Sequence, residues 1–139
     1  MYQLTTHASF DSAHFLSGYE GKCSNLHGHR WKLEVTVESE RLEKSGQTRG
    51  MIVDFGQLKN DVKWLADEFD HCLIMEKGTL KAKTMEALEE EKFKMILVEF
   101  RPTAENFAKY FYDRVRKMGY QVSFVKVYET PNNMAGYGE

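Results

Sequence analysis

Residues 23–29 hold a cysteine and two histidines in the spacing Cys23-x-x-x-His27-x-His29. Thiolate sulfur and imidazole nitrogen are the ligands that Zn²⁺ prefers in a tetrahedral site. In a β-strand, side chains at positions i and i+2 point to the same side, so His27 and His29 would face a common point. The chain's other histidines are the candidates for a third ligand: His7, His14 and His71.

The thiol of Cys23 has two roles open to it. As a fourth ligand it would close the site into a structural zinc site, whereas beside an open zinc ion it would act as a nucleophile or base. The spacing leaves both roles open. It also does not choose between His7 and His14, which would lie on opposite faces of the sheet if one regular strand held both.

An aspartate and a histidine, Asp70 and His71, stand next to each other just past the end of a predicted helix. A carboxylate beside an imidazole can orient the ring and stabilise its cation, which makes a proton shuttle near neutral pH. The negative end of the helix dipole would equally favour a histidine at this place for structural reasons. The adjacent Cys72 is predicted to be a small core residue.

Two carboxylates stand at the ends of predicted elements. Glu105 falls in the first turn of a helix, where the dipole favours a negative charge. Glu129 ends a strand, where a carboxylate can accept two parallel N–H bonds from a guanine-like or pterin-like edge. Each is also explained as a solvated charge.

The elements that must position these residues follow from apolar periodicity. Strands are predicted in residues 2–10, 31–39 and 120–130, and residues 40–50 form a polar, hairpin-like connection. One helix begins at the N-cap Asp54, and another runs from Pro102 and Thr103 to Gly119. Residues 76–100 are compatible with a short helix and a short buried strand. This order predicts an α+β domain whose helices cover one face of a sheet.

The overall composition indicates a single domain of ordinary globular character. The 139 residues include 19 basic and 21 acidic side chains, and this near balance argues against nucleic acid or a membrane surface as the main partner. No apolar stretch approaches the length of a membrane span, and residues 1–10 lack the apolar region of a signal peptide. Two cysteines are too few for a disulfide scaffold, so we expect a reducing cytoplasm.

Six motifs occur in order along nearly the whole chain: FDSAHFL, CSNLHGH, GMIVDFGQLK, FDHCL, PTAENFA and VYET followed by Y-G-E. Together they resemble the 6-pyruvoyl-tetrahydropterin synthase / 6-carboxytetrahydropterin synthase family. The resemblance implies one domain over residues 1–139 with the tunnelling fold, an antiparallel four-stranded sheet with two helices on one face. It also implies a homo-oligomer, typically a hexamer built as a dimer of trimers, with active sites between subunits.

The same resemblance assigns roles to residues. The implied zinc ligands are His14, His27 and His29. The implied catalytic residues are the thiol of Cys23 and the pair Asp70 and His71, with the pair expected from a neighbouring subunit. The implied pterin-binding residues are Thr103, Glu105 and Glu129.

The implied substrate is 7,8-dihydroneopterin triphosphate. Three residues between Cys23 and His27 resemble the queuosine-pathway members, which release triphosphate and acetaldehyde and form 6-carboxy-5,6,7,8-tetrahydropterin. The animal pyruvoyl synthases, which do not cleave the carbon chain, have a longer spacing and remain the alternative. Two features depart from the family pattern. Arg30-Trp31 replaces a common Asn-Tyr, and residues 76–95 form a longer segment that would either cap the site or decorate its rim.

Overall fold

The computed structural model describes residues 1–139 and contains one six-stranded sheet, three α-helices and a short 3-10 turn. The strands are β1 (Tyr2–His14), β2 (His27–Ser39), β3 (Cys72–Glu76), β4 (Met95–Val98), β5 (Val122–Thr130) and β6 (Asn133–Tyr137). The helices are α1 (Phe55–Asp67), α2 (Ala82–Glu90) and α3 (Ala104–Lys117), and the 3-10 turn is Lys22–Ser24. None of these helices is long and apolar enough to cross a bilayer.

A long antiparallel hairpin of β1 and β2 forms the centre of the sheet, whose strand order is β4-β3-β1-β2-β5-β6. Its register runs from Tyr2 opposite Ser39 to His14 opposite His27. On one side β5 and β6 continue the antiparallel pattern. On the other side β3 lies parallel to β1, and β4 lies parallel to β3.

The predicted four-stranded antiparallel sheet with two helices is therefore wrong in strand number, strand direction and helix number. Its antiparallel part is present as β1, β2, β5 and β6. Two parallel strands are added by β3 and β4, which need a crossover connection, and that connection contains α2. The five residues of β3 follow the preceding helix almost at once and show no alternation of apolar and polar residues, so no periodic signal marks them as a strand.

The predicted helices over the core are confirmed together with their capping residues. The carboxylate of Asp54 accepts a hydrogen bond from the Gln57 amide at 3.2 Å and begins α1. The Thr103 hydroxyl does the same for the Asn106 amide at 3.2 Å and begins α3. Gly119 follows α3 with φ of 102°, the left-handed conformation that favours glycine after a helix.

Aromatic packing joins the helices to the central hairpin. Phe10 and Trp31 are directly opposite one another on β1 and β2, with ring centroids 5.8 Å apart. Phe107 of α3 packs against both of these rings at 5.4–6.4 Å. All three side chains are almost completely buried. The ring of Trp31 also lies 4.9 Å from the ring of His14. The close-packed core therefore supports the end of the hairpin that carries His14.

Candidate metal centre and acid–base pair

Three histidines converge at the end of the central hairpin where residues 15–26 connect β1 to β2. His14 lies directly opposite His27, and Ser12 lies opposite His29, so all three imidazoles project from the same face of the sheet. The ring centroids are 4.6 Å apart for His14 and His27, 4.9 Å for His27 and His29, and 5.2 Å for His14 and His29. The hairpin therefore brings together the predicted ligand set.

Backbone carbonyls orient two of these rings. His14 Nδ1 lies 2.8 Å from the carbonyl of Pro102, and His27 Nδ1 lies 2.7 Å from the carbonyl of Asn25. A carbonyl oxygen only accepts, so each Nδ1 carries a proton and Nε2 is the nitrogen left to bind a metal. This arrangement of a protonated Nδ1 and a free Nε2 is typical of histidines that bind metal.

Two of the Nε2 atoms are buried and make no hydrogen bond of good geometry, although the carboxylate of Glu129 lies near both. These atoms belong to His14 and His29. A buried polar atom without a partner costs roughly 1–3 kcal/mol, and a bound cation would remove that cost. Burial also lowers the pKa of His29 and so favours the neutral ring that a metal requires.

The carboxylate of Glu129, at the end of β5, completes the cluster. Its Oε1 lies 2.8 Å from Nε2 of His29 and 3.4 Å from Nε2 of His14. The nearby His14 and His29 hold the pKa of Glu129 below its usual range, so the group is ionised. The carboxylate oxygen and the imidazole nitrogens beside it are all groups that can bind a divalent cation, and a site with three imidazoles suits Zn²⁺.

The thiol of Cys23 lies outside this set. The candidate ligand atoms of His14, His27, His29 and Glu129 all lie within 4.8 Å of one another, and the sulfur of Cys23 is not among them. Cys23 sits on the 3-10 turn with its thiol free and half-buried, and its carbonyl accepts the Leu16 amide at 2.9 Å. The sulfur therefore does not belong to the group of converging ligand atoms.

The predicted Asp–His pair is a formed contact. Asp70 Oδ2 accepts from His71 Nδ1 at 2.8 Å, and Asp70 Oδ1 accepts from the Asp11 amide at 2.8 Å. The bond from the Asp11 amide lowers the pKa of Asp70, with a further contribution from His71. His71 has φ of 55°, which is uncommon for a residue other than glycine. Its side chain is 78% exposed, so the free ring edge is available to a substrate.

This pair and the histidine cluster lie on opposite faces of the sheet. Asp11 is directly opposite Arg30, while the next pair in the register is Ser12 and His29. Because side chains alternate along a strand, Asp11 faces away from the three imidazoles. The ligand atoms of Asp11, Asp70 and His71 form a second group within 4.8 Å. A single chain therefore does not bring His71 to its own histidine cluster.

The predicted pterin-binding residues are divided between two elements. Thr103 caps α3 and follows Pro102, whose carbonyl holds His14. Glu105 is exposed in the first turn of α3, and no hydrogen bond or ion pair joins it to Glu129. Glu129 lies against the imidazoles, a contact that sequence spacing does not reveal.

The remaining third-ligand candidates lie elsewhere. His7 is exposed on β1 opposite Glu34, and the face alternation separates it from His14, as expected for one regular strand.

Sequence reasoning missed Asp11, because the predicted strand ended at Phe10 and the register with Arg30 was not available. It also left the segment of residues 76–95 open. Leu88 of that segment lines a cavity of about 710 Å³ together with Asp11, Arg30 and His71, so the segment contributes to the wall beside the acid–base pair.

The fold has a close counterpart among pterin enzymes. It matches the structure of 6-pyruvoyltetrahydropterin synthase from Plasmodium vivax with a TM-score of 0.71 at 17% identity, covering 99% of this chain and 97% of that one. This likeness gives the chain the tunnelling fold of that structure. The model of the 6-pyruvoyl tetrahydropterin synthase family matches residues 3–139, and the chain belongs to that family.

Two relatives with higher sequence identity share one name. A 6-carboxy-5,6,7,8-tetrahydropterin synthase from Haemophilus influenzae is 35% identical over 142 residues, which cover 100% of both chains. A protein of the same name from Aquifex aeolicus is 39% identical over 129 residues, covering 85% of this chain and 76% of its own. The predicted family membership is confirmed.

Proposed function

We propose that this protein is a zinc-dependent lyase that converts 7,8-dihydroneopterin triphosphate and one water to 6-carboxy-5,6,7,8-tetrahydropterin, with release of triphosphate and acetaldehyde. The step belongs to the route to queuosine and takes place in a reducing cytoplasm, where the thiol of Cys23 remains free. The names of the relatives support the carboxy product.

The observation that carries the proposal is the cluster of three imidazoles at the end of the central hairpin. His14, His27 and His29 would hold the zinc ion, because their rings converge and the Nδ1–H groups of His14 and His27 are fixed on carbonyls. When bound, zinc would supply Lewis acidity to the side-chain hydroxyls of the substrate. Three protein nitrogens leave room for those hydroxyls.

Proton transfer is assigned to residues of the chain itself. The half-buried thiol of Cys23 would take a proton from the carbon chain of the substrate and return one to it. His71, oriented by Asp70 through the 2.8 Å bond, would exchange protons from its free Nε2. Both groups need to meet the same substrate side chain.

Assembly would bring them together. Because His71 and the histidine cluster are on opposite faces of one sheet, we infer that His71 of one subunit serves the metal site of a neighbour. A hexamer built as a dimer of trimers would place such a site at each interface between subunits.

The pterin ring would be held at the start of α3 and the end of β5. Thr103 and Glu105 offer a hydroxyl and an exposed carboxylate beside the loop that anchors His14. Glu129 can accept N–H bonds from the ring once its Oε1 turns away from His29. For that oxygen, binding of the pterin ring and the contact with His29 are therefore alternatives.

Product identification tests the proposal. Zinc-loaded protein is incubated with 7,8-dihydroneopterin triphosphate, and the products are separated and identified by mass spectrometry. We expect 6-carboxy-5,6,7,8-tetrahydropterin and one equivalent of acetaldehyde. Formation of 6-pyruvoyl-tetrahydropterin without acetaldehyde would instead assign the pyruvoyl reaction. That reaction is the second candidate because the family to which the chain belongs is named after it. Absence of any turnover would refute both.

A further inference from the structure

Asp11 holds the Asp70–His71 pair through its backbone. Its amide donates to Asp70 Oδ1 at 2.8 Å, and its carbonyl accepts the His71 amide at 2.6 Å. These two bonds fix both residues against β1 and hold His71 in its left-handed backbone conformation. The position of the acid–base pair therefore depends on residue 11.

The side chain of Asp11 is a second carboxylate beside the same imidazole. Its oxygen lies in the group that includes Asp70 and His71, with all ligand atoms within 4.8 Å. Without a cationic partner, the carboxylate of Asp11 would compete with Asp70 for the imidazole proton and would stabilise the imidazolium form.

Arg30 engages that second carboxylate with two parallel hydrogen bonds. Its Nε and one terminal nitrogen donate to the two oxygens of Asp11 at 2.9 and 3.1 Å. The guanidinium keeps the pKa of Asp11 below its usual range, and this bidentate geometry fixes the carboxylate in orientation. Arg30 is 76% exposed, so packing of the core does not explain its conformation.

The charged groups that face His71 are few. Asp70 and Asp11 are the anions, and Arg30 is the cation bound to Asp11. Lys94, from the segment after α2, donates to the carbonyl of Asp70 at 3.1 Å. Removal of Arg30 leaves two carboxylates around the imidazole with one of them uncompensated.

We propose that Asp11 and Arg30 form a positioning pair for His71, in which Arg30 restrains the Asp11 carboxylate so that the imidazole has Asp70 as its single carboxylate partner. The proposal rests on the proposed function for its catalytic meaning, because a proton-transferring histidine must remain largely neutral near pH 7. The hydrogen bonds between Asp11 and Arg30 belong to the folded chain whether or not the protein has that activity.

The test follows the titration of His71 by NMR in protein labelled at histidine ¹³Cε1, with the signal assigned through a His71→Gln variant. In Arg30→Gln we expect the midpoint of His71 to rise by roughly half to one pH unit, as for one uncompensated charge at about 5 Å in a well-solvated site. Arg30→Gln combined with Asp11→Asn, which removes both charges, should return the midpoint to that of the natural protein.

Lys32→Gln is the matched control. It removes one positive charge two residues along the same face of β2, where Lys32 lies over the ring of Tyr128, and it should leave the midpoint unchanged. Thermal melts establish that the variants remain folded. An unchanged midpoint in Arg30→Gln overturns the proposal, as does an equal shift in Lys32→Gln.

Kinetics add a second readout. The acidic limb of the pH profile of kcat should move upward in Arg30→Gln together with the NMR midpoint. A higher KM for substrate without any shift in His71 would overturn the positioning role and indicate direct binding of a substrate phosphate. Because the NMR titration needs no turnover, failure of the proposed function would be recognised separately.

Discussion

A Cys23→Ala variant is expected to lose turnover by roughly two to four orders of magnitude, the contribution of a positioned acid–base group, while it keeps its full zinc content. The thiol lies outside the cluster of imidazoles, so its removal takes away proton transfer without taking away a ligand. The rate of product formation and the metal content by inductively coupled plasma mass spectrometry are measured on the same sample.

Cys72→Ala is the control for this variant, since the chain has two cysteines and Cys72 is buried beside Ser12. We expect it to lower thermal stability and to retain turnover. Loss of zinc from Cys23→Ala would contradict the assigned role, because it would make the sulfur a ligand and the site structural.

A His27→Gln variant is expected to weaken zinc binding by more than about 100-fold. Loss of a hydrogen-bond partner of a metal ligand typically costs 10- to 100-fold in affinity, and loss of the proposed ligand His27 itself should cost more. Its ring is partly exposed, and its Nδ1 bond goes to the nearby carbonyl of Asn25, so the fold should tolerate the change. Competition with a chromophoric chelator measures the affinity.

His7→Gln is the matched control for the histidine series. It removes an exposed imidazole from the other face of β1 and should bind zinc as the natural protein does. Equal affinity in the His27 and His7 variants would show that the cluster is not the metal site.

Much of the fold could be predicted because its local signals agree with its packing. Alternation in residues 31–39 marks β2, and the caps at Asp54 and Thr103 mark the starts of the two core helices. The strand β1 extends beyond its apolar part because Asp11, Ser12 and His14 pair with β2 across the hairpin. That pairing is a long-range property, and periodicity within residues 2–14 does not report it.

The parallel pairing of β3 with β1 and β4 was beyond local prediction for a different reason. A parallel pair is held by residues far apart in the chain, and Leu73 of β3 meets Met95 of β4 only through the crossover that contains α2. The short helix and the short buried strand predicted in residues 76–100 are present as α2 and β4, whereas the five residues of β3 show no period. Their place at the β1 edge positions Asp70 and His71.

The site itself was predicted in part. Residue types and the resemblance indicated the three histidines and the Asp–His pair, and the structure brings each set together. The contact of Glu129 with His29 and the pairing of Asp11 with Arg30 depend on strand register. A shift of one residue would place every one of these side chains on the other face, so the sequence alone did not reveal them.

X-ray absorption at the zinc edge of the loaded protein tests the central claim most directly, because nitrogen, oxygen and sulfur ligands differ in distance. We predict a first shell of light atoms at about 2.0–2.1 Å, with the multiple-scattering pattern of three imidazoles and no sulfur. A scatterer at about 2.3 Å would identify Cys23 as a ligand. That result would contradict an open catalytic centre held by His14, His27 and His29.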